Sequence, residues 1–272
     1  MAQNTTAIPL RIMPLGASVT FGVGSSTGNS YRKDLRDLLT QQGGHQVNMV
    51  GTHKHGAFAD NEVEATSGFV IAQIAASAQV ATPKFLPNLV LVDAGTNNCN
   101  NGGIVSDAGA NVSSMIKEIF AASAGVTVLL ATILENKVAS QDACRVDINR
   151  QYRDVVAGFE RDGEKIALVD MRSEEGPTTN DLFDTRHPND AGYKKMAAVW
   201  NQGIQLAAEK GFLSMPASNG VPLDGGSGAT AIVLVNNRSV AFSPSPEEHI
   251  PDSLALTLNA TGAMRLLLVV LT

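Results

Sequence analysis

The chain is short of charge. Asp, Glu, Lys and Arg make up only 17% of its 272 residues, against about 25% in an average soluble protein, so the surface must lean on Ser, Thr, Asn, Gln and Gly, a makeup suited to extracellular fluid. Positive charge is scarcest: 20 Lys and Arg against 26 Asp and Glu leave a net charge of −6 with no basic stripe. That excludes nucleic acid as the main partner, because phosphate backbones are held by clustered Lys and Arg. A neutral substrate such as a sugar or a small ester fits instead. No run of 18 or more apolar residues occurs, so no segment reads as a membrane span. Residues 1–6 lack the basic start and apolar core of a secretory leader. The chain therefore either stays inside the cell or has had its leader removed, and its composition favours the second.

Other shortages exclude other chemistries. Only two cysteines are present, Cys99 and Cys144; they are either one disulfide or two quiet core thiols, and spacing alone does not say which. The glycines Gly16, Gly22 and Gly24 lack the Gly-Lys-Ser/Thr of a phosphate loop, and no acidic residue completes a dinucleotide fingerprint. The Gly-x-Ser-x-Gly elbow is missing, because Thr20 stands in its last position. His53 and His55 beside Asp60 are a weak metal candidate, since histidines two apart in an acidic loop are ordinarily solvated. No metal and no cofactor is called for.

What is there is alternation. Apolar runs near 10–15, 46–51, 89–94, 127–133 and 165–170 read as strands, and the run Leu89-Val90-Leu91-Val92 has the unbroken apolar character of a strand covered on both faces. Between them, helical spacing predicts helices over about 31–42, from Gly68 onward, 107–122, 144–161 and 191–210. The expected fold is α/β: a three-layer, doubly wound, five-stranded parallel sheet occupying residues 1–212. Ligands in such folds gather at the carboxyl ends of the strands. Beyond 212 the pattern changes: residues 214–230 are rich in Gly, Ser, Pro and Asn, as linkers are. Strand-like runs at 231–235, 240–242, 254–258 and 264–271 then make residues 213–272 a linker with a small β-rich appendage.

Three polar loops fall at the same sheet edge. Arg11 to Gly22 reads as a strand running into a turn of small residues that presents Ser18, which could equally be a helix cap. Gly95-Thr96-Asn97-Asn98 follows the buried strand, and Asp184-Thr185-Arg186-His187 precedes the last helix. A serine hydroxyl needs a base within hydrogen-bond reach, itself oriented by a carboxylate, before it can attack an acyl carbon. The chain supplies one of each, in the order Ser18, Asp184, His187.

Taken jointly, Gly16-x-Ser18, Gly68, Gly95-x-Asn97 and Asp184-x-x-His187 resemble the four sequence blocks of the SGNH (GDSL-type) hydrolases. The runs Arg11-Ile12-Met13-Pro14-Leu15-Gly16, Asn48-Met49-Val50-Gly51 and His187-Pro188-Asn189-x-x-Gly192-Tyr193 look most similar to carbohydrate esterase family three, the acetyl xylan esterases. The resemblance covers about residues 9–212. It implies a flavodoxin-like SGNH fold and a serine esterase removing short acyl groups, foremost acetyl, from carbohydrate such as xylan. By the same resemblance Ser18 is the nucleophile, His187 the base, Asp184 the orienting carboxylate, and Ser18, Gly68 and Asn97 the oxyanion donors. Two positions depart from the pattern: relatives commonly carry Asp where this chain has Ala17 and Asn98. A non-catalytic carbohydrate-binding protein on the same fold, or an esterase for longer acyl chains, are the alternative readings.

Overall fold

The computed structural model describes residues 7–100 and 105–226. In chain order come strand β1 (Leu10–Gly16), helices α1 (Ser18–Phe21) and α2 (Arg32–Gln41), strands β2 (Val47–Met49), β3 (His53–Lys54) and β4 (Glu62–Ala65), helix α3 (Ile71–Phe85) and strand β5 (Leu89–Asp93). Helix α4 (Ala108–Ala122), strand β6 (Thr127–Ala131), helix α5 (Ala139–Arg161), strand β7 (Ile166–Val169) and helix α6 (Asp190–Glu209) complete the order.

The five expected strands lie parallel in the order β2, β1, β5, β6, β7. Their side chains alternate between two cores, as a pleated strand requires. Met13, Leu15, Val90, Val92, Val128 and Leu130 face α3, α4 and α5. Leu10, Ile12, Leu89, Leu91, Leu129 and Ala131 face α2 and α6, where Tyr31 and Trp200 fill the layer. Both faces are covered, which is why these strands read as unbroken apolar runs rather than as alternating ones.

Three local differences from the sequence reading have physical causes. The acidic loop around His53, His55 and Asp60 contains the β3–β4 hairpin, and β4 pairs parallel with the end of β1 at Leu15 and Gly16, giving seven strands among the described residues. Helix α3 starts at Ile71 rather than Gly68, because Gly68 has φ +90°. Helix α5 starts five residues early, at Ala139, so Cys144 lies inside it rather than at its start.

Residues 212–226 run past the amino ends of the strands and are tied down there. Thr127 Oγ1 donates to the Phe212 carbonyl (2.9 Å), Asn88 Nδ2 to Ser214 (2.6 Å) and Asn48 Nδ2 to Pro222 (2.6 Å). Arg11, 2% exposed, donates to the carbonyls of Phe85, Leu86, Ala217 and Val221 at 3.0–3.2 Å. Arg36 bridges buried Asp60 (2.7 Å) and Asp224 (2.6 Å). The stretch that composition marks as a linker is, as far as residue 226, a strap. The strands expected at 231–271 lie outside the described residues.

Candidate active site

The serine turn follows directly from β1. Helix α1 is a single turn with Ser18 at its first position, so the Ser18 N–H has no intrahelical acceptor and is available to a ligand. The far end of the turn is gripped by Arg32, which is fully buried and donates to the carbonyls of Thr20 (3.1 Å), Gly28 (3.2 Å), His55 (2.7 Å) and Asn61 (3.0 Å). Burial lowers this guanidinium only to about 10, so it stays cationic at the carboxyl end of α1.

The loop carrying Asp184 and His187 is closed on itself by a bridge between Leu182 and Pro188 and by the Phe183 N–H bonding to the His187 carbonyl (2.8 Å). Asp184 Oδ1 accepts the backbone N–H groups of Arg186 and His187, each at 2.8 Å, and Oδ2 meets His187 Nδ1 at 2.7 Å. His187 Nε2 lies 2.9 Å from Ser18 Oγ. Burial raises the Asp184 carboxyl, but the bonds from the His187 ring and from the two N–H groups outweigh it and hold it down at about 2. An ionised carboxylate only accepts, so Nδ1 carries the imidazole hydrogen. In the neutral ring Nε2 is then the acceptor, and the Ser18 hydroxyl is the donor.

The two loops are held against each other. Tyr193 Oη donates to the Val23 carbonyl (2.6 Å), Asp190 Oδ1 accepts the Ser26 N–H (2.9 Å), and Asn189 caps α6 by accepting from Gly192 N (2.9 Å). Residues 169 apart in sequence thereby meet at one hydrogen bond.

Asn97 meets Phe69, the residue that follows Gly68. Asn97 lies in a 3₁₀ turn, Thr96–Cys99, and its Nδ2 donates to the Phe69 carbonyl at 2.8 Å, which spends one of its two hydrogens. Its Oδ1 accepts from Asn100 Nδ2 (2.7 Å), and Asn98 Oδ1 accepts the Ile71 N–H at the start of α3 (3.1 Å). A Cβ at Gly68 would touch nothing within 4 Å, so the left-handed φ rather than crowding is what selects glycine there. Cys99 and Cys144 form a disulfide that ties the Asn97 turn to α5.

Two residues that build this site carry no local sequence signal. Arg32, in the charged start of α2, and Asp93, at the end of an apolar strand, are buried polar groups that only their contacts give away. His55 is committed elsewhere: its ring stacks on Phe21 with centroids 3.9 Å apart and its Nδ1 meets the Phe21 carbonyl at 2.8 Å. Among the described residues, no three His, Cys, Asp or Glu side chains group as metal ligands would. Flanking the histidine loop is an open groove of about 700 Å³ lined by Asn136, Lys137, Asp142, Thr179 and Asn180. Lys137 joins it to that loop, its N–H donating to Thr185 (3.0 Å) and its Nζ to Leu182 (3.3 Å).

The model of the GDSL-like Lipase/Acylhydrolase family matches residues 15–195. In fold, the chain is similar to a family 3 carbohydrate esterase from Clostridium thermocellum, with 27% identity and a TM-score of 0.65 over 74% of this chain and 98% of that one. It is also similar to a family 3 carbohydrate esterase from Talaromyces cellulolyticus, at 23% identity and a TM-score of 0.63 over 74% of this chain and 99% of that one. A multidomain esterase from Ruminococcus flavefaciens is 23% identical over 74% of this chain; the match spans 29% of that longer protein.

Proposed function

Because the chain belongs to the GDSL-like Lipase/Acylhydrolase family and is a carboxylic ester hydrolase, we propose that it removes short acyl groups, foremost acetyl, from carbohydrate by a Ser18–His187–Asp184 mechanism. The observation that carries the reading is the continuous hydrogen-bonded line from Asp184 through His187 to Ser18, at 2.7 and 2.9 Å.

In that mechanism Ser18 Oγ attacks the acyl carbon as its proton passes to His187 Nε2. The imidazolium so formed is stabilised by ionised Asp184. Negative charge collects on the carbonyl oxygen, where the N–H groups of Ser18 and Gly68 and the remaining Asn97 amide hydrogen act as donors. Collapse breaks the bond to the sugar oxygen, which takes the proton from the His187 imidazolium and leaves as a hydroxyl. Water, activated by the same imidazole, then releases the acid and restores the serine.

The surroundings of the histidine loop favour a polar alcohol. The groove next to the histidine loop offers amide, hydroxyl and charged groups on Asn136, Lys137, Asp142, Thr179 and Asn180 beside the apolar surface of Ala139 and Ala143, the mixture a sugar needs. The likeness to carbohydrate esterases points the same way. The disulfide between Cys99 and Cys144 supports secretion, since such bonds persist in oxidising compartments.

The test is hydrolysis of p-nitrophenyl acetate and octanoate together with acetate release from acetylated xylan. Acetyl turnover that vanishes in Ser18→Ala while the variant stays folded is the expected result. Undiminished turnover by that variant refutes the mechanism, and a preference for octanoate refutes the acyl assignment.

A further inference from the structure

Helix α1 is one turn long and has no side-chain cap, so nothing within it sets how far it is rotated about its own axis. That rotation decides where Ser18 points. Successive helical residues are about 100° apart, so Thr20 lies roughly opposite Ser18 on the turn. Whatever holds Thr20 against the sheet therefore keeps Ser18 turned towards the histidine.

Thr20 is held by a carboxylate that the hydrolytic steps do not use. Its Oγ1 donates to Asp93 Oδ2 at 3.1 Å and lies 3.3 Å from Tyr31 Oη. With the Thr20 hydrogen spent on Asp93, Tyr31 is the donor in the second bond. Asp93 closes β5, where it pairs in register with Gly16 of β1. A Cβ on Gly16 would come within 2.5 Å of Thr20 Oγ1 and 2.7 Å of the Asp93 carbonyl, so the serine turn is wedged directly onto the end of β5.

Asp93 is only 6% exposed and lines the cleft beside Ser18. Tyr31 feels its charge from just before α2, Tyr152 and Arg145 from α5, and Tyr193 from α6. Its carboxyl is pushed up to about 6 by burial, which the Thr20 bond and Arg145 only partly offset. A fifth apolar residue after Leu89-Val90-Leu91-Val92 would fill the strand end without that desolvation cost. A buried carboxyl beside a reactive group is the arrangement that marks a working site.

We propose that Asp93 is a positioning residue for the Ser18 hydroxyl, acting through Thr20. The proposal rests on Ser18 being the nucleophile, and the experiment separates the two. Four proteins are compared: the full chain, Ser18→Ala, Thr20→Val and Thr20→Ser. For each, kcat and KM for p-nitrophenyl acetate, the rate of fluorophosphonate labelling and the thermal midpoint are measured. Thr20→Val keeps the side-chain shape but deletes the hydroxyl. It is expected to lower kcat and the labelling rate about tenfold or more, the scale of one hydrogen bond to a charged group, with KM within about twofold. Thr20→Ser restores the hydroxyl and most of both rates.

Full turnover in Ser18→Ala sinks the nucleophile assignment itself. A Ser18→Ala variant that is inert, beside a folded Thr20→Val as fast as the parent, overturns the positioning role alone. Asp93→Asn supplies the second arm should Thr20→Val unfold. It replaces the charged acceptor of the Thr20 hydroxyl with a weaker neutral one, so kcat and labelling are expected to fall about threefold or more with KM within about twofold. Folded Asp93→Asn that turns over and labels as fast as the parent overturns the proposal.

Discussion

At the amino end of the sheet Arg11 spends its guanidinium on four backbone carbonyls, whereas at the carboxyl end His187 spends its two ring nitrogens on the side chains of Asp184 and Ser18. A carbonyl has one protonation state and a fixed position, so the first arrangement can only anchor. A carboxylate, an imidazole and a hydroxyl exchange protons, so the second can do chemistry. The fold separates the two tasks along the same strands: β1 begins at the strap and ends at the serine.

The largest effect expected to sharpen this contrast is that of His187→Ala, which lowers kcat for acetyl esters at least about 10⁴-fold. The thermal midpoint stays near that of the parent, because the imidazole anchors nothing else. A loss of activity matched by unfolding would break the separation of tasks.

Cys99 belongs to both tasks, since it is buried and also closes the turn that bears Asn97. The disulfide spans 45 residues, for which chain-entropy arithmetic gives up to about 4 kcal/mol of stabilisation. The double variant Cys99→Ser, Cys144→Ser is expected to lose stability on that scale in urea unfolding and also to lower kcat in the material that remains folded. Unchanged kcat would move the Asn97 turn out of the catalytic half.

Arg11→Met is the mirror experiment. It strands buried carbonyls at the strap and is expected to cost about 1–3 kcal/mol in urea unfolding while leaving kcat and KM unchanged. A kcat effect as large as that of His187→Ala would show that the two ends are not independent.

A further effect is electrostatic. The Asp93 carboxyl sits at about 6 in the folded chain against an ordinary 3.8. Between those values the folded state keeps a proton that the unfolded chain has released, so its stabilising contribution is complete below about pH 4 and is lost as pH rises through 6. Asp93→Asn removes the titration. Its stability relative to the parent, read from urea midpoints, is therefore expected to rise from pH 4 to pH 7 and then level off. A constant difference across that range would contradict the burial of an ionisable carboxyl.

How much of this could be read in the sequence depended on the range of the forces involved. The runs 89–93 and 127–131 are apolar because both faces of each strand are covered, so period and composition suffice to find them. Ser18, Asp184 and His187 drew notice only through the joint order of the short blocks that carry them, since each block alone is common; the Asp184 turn itself closes within three residues. The strap was not, because Arg11 and its acceptors Ala217 and Val221 are 206 and 210 positions apart, and a Gly- and Pro-rich stretch looks the same whether anchored or free. The β3–β4 hairpin was hidden for another reason: β3 has only two residues, both exposed, too few to show alternation. Asp93 passed unremarked inside the apolar run 89–94, since burial of a carboxyl leaves no trace in its neighbours.

The most direct test of the central claim is to treat the protein with a fluorophosphonate and map the adduct by mass spectrometry, in the parent and in His187→Ala. Stoichiometric labelling of Ser18 in the parent and its near absence in folded His187→Ala is the expected result. An adduct on another residue, or equal labelling of Ser18 in both proteins, would contradict the account.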